Sequence, residues 1–137
     1  MAAPTPTTYT EWDGSRGMTY WDTVWSSADD LTDSVIVDVS ALSPAASSVK
    51  VLGIYASVNG DISATVEFDA TTDQLIYVFR NQTDSALRDG IDFRESPNGG
   101  RVPSNTAAGF VGDIMVTTSN VASGDELTLL IFYQKKT

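Results

Sequence analysis

Cysteine and histidine are both missing from the 137 residues of this chain. Without cysteine there is no disulfide framework, no thiol nucleophile and no thiolate–zinc site. Without histidine there is no Ser-His-Asp triad and no Cys-His dyad, and nearly every catalytic zinc site goes with them. Small secreted domains often lean on disulfides, so their absence points to a reducing compartment. Long apolar runs are missing too. The longest, Leu127 to Tyr133, is strand length and is broken by Thr128, far short of the roughly 18 residues of a membrane helix. The opening Met1-Ala2-Ala3-Pro4-Thr5-Pro6 has neither a basic start nor an apolar stretch, so no signal peptide is expected. Bases are scarce, eight against eighteen acids, for a net charge of −10. The imbalance sits in the first half: residues 1–69 hold ten acids and two bases, residues 70–137 eight acids and six bases. Such a surface repels phosphate backbones and anionic lipid, so neither nucleic acid nor membrane is an expected partner.

What is present reads as β-structure. The length suits one domain with a real core. Short runs rich in β-branched and aromatic residues predict strands over 35–39, 49–58, 62–68, 74–80, 112–118 and 126–134, with turn formers between them. Ile62, Ala64, Val66 and Phe68 alternate with Ser63, Thr65 and Glu67, a half-buried strand. Gly53 inside a strand predicts a bulge or a close backbone approach. Asn59-Gly60 predicts a tight hairpin, because its turn needs positive φ. Residues 74–80 are apolar on both faces, which predicts a central strand, as does 126–134. The three tryptophans, Trp12, Trp21 and Trp25, fall in a segment that fits a helical stripe or a strand face equally well. They either cap the core or anchor a subunit contact. The resulting fold is all-β: an antiparallel β-sandwich, jelly-roll-like, over residues 13–137, with an extended Thr/Pro-rich N-terminal arm over residues 1–12.

Motifs that carry chemistry are weak. No Gly-x-Gly-x-x-Gly, P-loop or Asp-x-Asp-x-Asp-Gly occurs, so no cofactor and no metal is expected. Pairs such as Asp69 with Asp73, or Asp92 with Glu95, arise by chance in any acidic chain, and Asp69-Ala-Thr-Thr-Asp73 suits a self-capped turn. Asn81-Gln82-Thr83 is a chance sequon match. Catalytic residues are therefore expected to be none. Residues 81–111, polar and rich in turn formers, form a stretch too long for a plain connection and predict a contact region. Arg80, Arg88, Arg94 and Arg101 either pair with Asp84, Asp89, Asp92 and Glu95 or face an acidic partner. The candidate interface residues are Pro4, Pro6, Tyr9, Trp12, Trp21, Trp25, Arg88, Arg94 and Arg101.

One ordered set of segments carries a resemblance. Phe68-Asp-Ala-Thr-Thr-Asp73, Ile91-Asp-Phe-Arg94, Asn105-Thr-Ala-Ala-Gly109, Gly112-Asp-Ile114 through Thr117-Thr118, and Ser123-Gly-Asp-Glu-Leu-Thr128 precede a final apolar strand and Lys135-Lys136. In this order they resemble small virion structural proteins of tailed bacteriophages, especially marine ones, over roughly residues 62–137. The resemblance implies a non-enzymatic β-sandwich, most often a capsid decoration (cement) protein on the outer surface of the head. Its partners would be other copies of itself and the major capsid protein, in a homo-oligomer on the particle. Tail, neck and fibre components are the alternatives within that class. A carbohydrate-binding β-sandwich is the alternative outside it.

Overall fold

The computed structural model describes residues 6–13, 15–42, 47–81, 86–97, 99–104 and 108–136. Two antiparallel sheets face each other across one core. The first holds five strands: β1 (Thr7–Asp13), β2 (Arg16–Val24), β9 (Glu126–Lys136), β4 (Ser48–Asn59) and β7 (Ala86–Asp92), in that spatial order. The second holds β3 (Ser34–Val37), β8 (Ile114–Ser119), β5 (Ser63–Phe68) and β6 (Gln74–Arg80). The expected antiparallel sandwich is what forms, and a jelly-roll ordering is compatible with it. In the tryptophan-bearing segment Trp12 and Trp21 fall in strands, and Trp25 directly follows the end of β2.

Alternation decides which side chains meet in the core. From the first sheet come Trp21, Leu127, Leu129, Ile131, Tyr133 and Ile54; from the second come Val66, Phe68, Phe79 and Ile114, with Ile62 just ahead of β5, all buried. Each such side chain contributes about 1.5–3 kcal/mol by leaving water. Val49 and Val51 point inward, and so do Ile54, Ala56 and Val58. The parity changes because a bulge falls between Val51 and Gly53, as the glycine predicts. Gly17 has no side chain because the Tyr133 ring lies where its Cβ would be. That ring's buried hydroxyl is 3.0 Å from Thr19 Oγ1, which is 3.1 Å from Thr10 Oγ1.

Four expectations are corrected. Asn59-Gly60 does not close a hairpin: β4 already pairs with β9 on one edge and β7 on the other. Gly60, at φ +116, instead sends the chain across to β5 in the opposite sheet. The strand at 74–80 is not central but an edge. Its apolar residues on both faces follow from a bulge opposite Val66 and Glu67, which lets Ile76 and Phe79, three apart, both point inward. Thr7–Asp13, mostly within the expected arm, instead pairs in full register with β2 in the chain's own sheet, and residues 1–5 lie outside the described residues. The sandwich therefore includes residues 7–12 as well. Finally, the stretch 81–111 contains β7, whose exposed–half-buried alternation is that of an edge strand lying on the sheet.

Candidate functional site

The outer face of the five-stranded sheet is the most distinctive surface among the described residues. Strand register sets one row across it: Tyr9 opposite Tyr20, Tyr20 opposite Leu130, Leu130 opposite Tyr55, and Tyr55 opposite Gly90. An adjoining row places Met18 opposite Phe132. The Tyr55 and Phe132 rings pack edge to face, with centroids 6.0 Å apart at 77°. Tyr9, Tyr20, Tyr55 and Phe132 are 57, 38, 40 and 38 % exposed. A solvated sheet face usually alternates to polar residues, so a line of aromatics here asks for a partner.

Beside the row lies a shallow groove of about 570 Å³. Tyr20 and Tyr55 line it with Leu130 and Gly90, and Ser57, Thr128 and Arg88 add polar groups, while the neighbouring Asp89 turns its carboxylate to Tyr77 of the opposite sheet. Gly90 keeps the groove open, because a Cβ there would meet the Tyr55 ring. Asp89 is oriented by the Gly90 N–H at 2.8 Å and the Tyr77 hydroxyl at 3.5 Å. Burial, then the Asp89 charge, raises the Tyr77 hydroxyl above its ordinary range. At the groove's end Thr128 donates to Asp22 at 2.7 Å. Burial and the neighbouring Asp22 push the Glu126 carboxyl up. On the other side of the Tyr55–Phe132 pair is a second hollow of about 320 Å³, bordered by Arg16, Asp92 and Arg94.

The candidate contact residues are scattered. Trp21 and Trp25 are 0 and 1 % exposed, so they are core residues and not contact anchors. The strand parity of Trp21 and the Trp25 backbone pairing to Gly124 and Asp125 hold them there. Tyr9 joins the aromatic row and Arg88 lines the groove. Arg94 forks onto Asp92 at 2.7 Å, which holds that carboxyl at about 2 through its hydrogen bonds. Arg101 donates to the Leu75 carbonyl at 2.7 Å and caps the β6 edge. Pro6 is half-buried ahead of β1. Pro4 lies outside the described residues, as does the Trp12 side chain.

The acidic loop behaves partly as expected. Asp73 accepts from the Ala70 N–H at 3.2 Å, a self-capped turn. Its carboxylate also joins those of Asp33 and Glu67, one oxygen from each lying within 4.8 Å of the others. These three are the described residues with the geometry to hold a hard cation. Burial, then repulsion from Asp73 and Asp33, raises the Glu67 carboxyl. Asn81 is buried and donates to the Gly60 carbonyl at 2.8 Å, which gives the sequon a structural use.

Reasoning from sequence missed the aromatic row, because its members lie on four different strands. The available signal was alternation: Tyr20 and Leu130 sit between inward-facing residues.

No protein-family model matches the chain, and no curated protein matches it. Among solved structures it is similar to one described as a Bacillus endospore appendage, from a novel family of disulfide-linked pili. That alignment spans 98% of this chain and 91% of the other at 10% identity, with a TM-score of 0.34. A score that low leaves fold and function to be argued from the chain itself.

Proposed function

We propose that this protein is a non-enzymatic structural component of a tailed-phage virion, a decoration protein on the outer surface of the head, made in the host cytoplasm. The observation that carries the reading is the aromatic outer face of the five-stranded sheet, a surface suited to covering by another protein subunit. The order of segments over residues 62–137 supports the virion assignment. The acidic surface suits the outside of a DNA-filled shell, where it meets protein and not packaged phosphate. Its partners in this reading are the major capsid protein and other copies of the chain. Purified protein added to heads stripped of it should bind saturably and raise the temperature at which they open. Failure to cosediment with heads at about 10 µM, generous for a standard interface, would remove the reading.

The groove favours one second reading. Tyrosine walls with Ser57, Thr128 and Arg88 at hand also suit a sugar, whose ring stacks while its hydroxyls bond. Specific binding on a glycan array, lost in Tyr55→Ala, would favour that reading over decoration.

A further inference from the structure

The outer face changes character along its strands. Take the row Tyr20, Leu130, Tyr55 as a midline. On one side lie the groove and, at its end, the Asp22 and Glu126 carboxylates. No base compensates this pair among the described contacts, and Glu126 is raised by burial and by Asp22. On the other side the Phe132 ring stands up, packed on Tyr55. Arg16 and the Asp92–Arg94 pair border the hollow beyond it. One half of the face carries the groove, with Asp22, Glu126 and Arg88 around it; the other carries the Phe132 ring, Arg16 and the Asp92–Arg94 pair around the smaller hollow.

We propose that this face is a homodimer interface, with a second copy related by a two-fold axis running along the midline, across the strands. An isologous contact requires a self-complementary patch, and this axis supplies one. It lays each strand over its own counterpart and exchanges the two halves of the face. Phe132 of each copy then enters the other copy's groove, a protruding ring into a tyrosine-walled hollow. On β9, one row further out, Glu126 comes over the other copy's Gln134, one strand away from Arg16 on β2 and within that long side chain's reach. On β7, Arg88 comes to the other copy's Asp92. An axis parallel to the strands would keep each row over itself, so that the Asp22 and Glu126 rows face their own counterparts and the Arg16 row faces its own. Two sheets stack face to face at about 10 Å, with strands within about 30° of alignment, so the arrangement needs no change of fold.

The area is sufficient. Five strands at about 4.8 Å spacing and some seven residues at about 3.3 Å give a footprint of roughly 550 Å² per copy. The total of roughly 1,100 Å² clears the ~1,000 Å² of a specific interface, at its small end. The contact should therefore be reversible, and sensitive to charge at its rim.

The inference names the subunit for the face on which the proposed function rests, and its test is independent of any particle. Sedimentation of the full chain at about 100 µM in physiological salt should show a dimer. Tyr55→Lys should return it to monomer. Arg16→Glu and Glu126→Arg should each raise the dissociation constant roughly tenfold, and the double reversal should restore dimerisation to near wild type. Both are surface positions, and circular dichroism checks that the sheets persist. A monomer at that concentration would overturn the inference. So would a dimer indifferent to Tyr55→Lys, or a double reversal no better than the singles. Head binding is measured separately, so a monomer that still decorates heads would fail only this inference, and a dimer that ignores heads would fail only the virion reading.

Discussion

Glu67 sits between core and solvent on β5, its neighbours Val66 and Phe68 buried and its carboxyl near those of Asp33 and Asp73. Its position is a by-product of alternation: the strand turns Val66 and Phe68 inward, so Glu67 must face the acids gathered on the outer side. Folding removes water from the carboxylate and brings like charge close, and both effects favour its protonated form. The folded protein then binds a proton at Glu67 more readily than the unfolded chain, so stability falls as pH rises through the raised value. Glu67→Gln should thus raise the urea midpoint at pH 7. The gain should shrink as pH falls and the wild-type carboxyl takes up its proton. A variant less stable than wild type at pH 7 would show that the carboxylate is held by a favourable partner instead.

At the scale of the element, the strands were legible and their partners were not. The Ile62–Phe68 alternation matches burial residue by residue, because a strand with one wet face writes its period into the sequence. Asn59-Gly60 misled because a two-residue turn signal reports only local φ. Whether the chain re-pairs with the strand it left depends on whether that strand has a free edge, and β4 has none. Residues 74–80 misled similarly, since a bulge mixes the faces and imitates a strand buried on both. Of the candidate site, Tyr9 and Arg88 were within reach. Tyr20, Tyr55 and Phe132 were not, because their proximity is created by the order β2-β9-β4. The crossover at Gly60 has its own consequence. The residue is buried at φ +116, the Asp125 carboxylate occupies the space of a Cβ, and its carbonyl accepts from Asn81 Nδ2. Gly60→Ala should cost about 2 kcal/mol, from a positive φ that L-residues rarely adopt and a displaced carboxylate. Urea unfolding measures it. A loss below about 0.5 kcal/mol, the range of an ordinary surface change, would mean the crossover tolerates a side chain.

Across the whole molecule, eighteen acids confront eight bases, and the fold concentrates them. Asp33, Glu67 and Asp73 share one patch; Asp22 adjoins Glu126; Asp113, raised chiefly by burial, has Asp38 and Asp69 near it. In each group folding brings like charges closer than the unfolded chain holds them, so repulsion is a cost of the native state. The opposite case, Asp92 on Arg94, lies at the surface, where such pairs contribute little. Screening should therefore help the folded state more than it harms it. Raising sodium chloride from about 10 mM to about 500 mM shortens the Debye length from about 30 Å to about 4 Å, which removes repulsion between patches while close pairs keep part of theirs. The melting temperature at pH 7 should climb by several degrees, at about 4 °C per kcal/mol for a chain of this length. The scan belongs at low protein concentration, so that association does not enter. Sodium sulfate strengthens apolar burial as well as screening, so chloride is the cleaner probe. The same series in Glu67→Gln should show a smaller rise, because one of the repelling charges is already gone. A melting temperature that stays flat or falls with chloride would mean that favourable pairs outweigh the acid clusters, and that the charge of −10 is carried without strain.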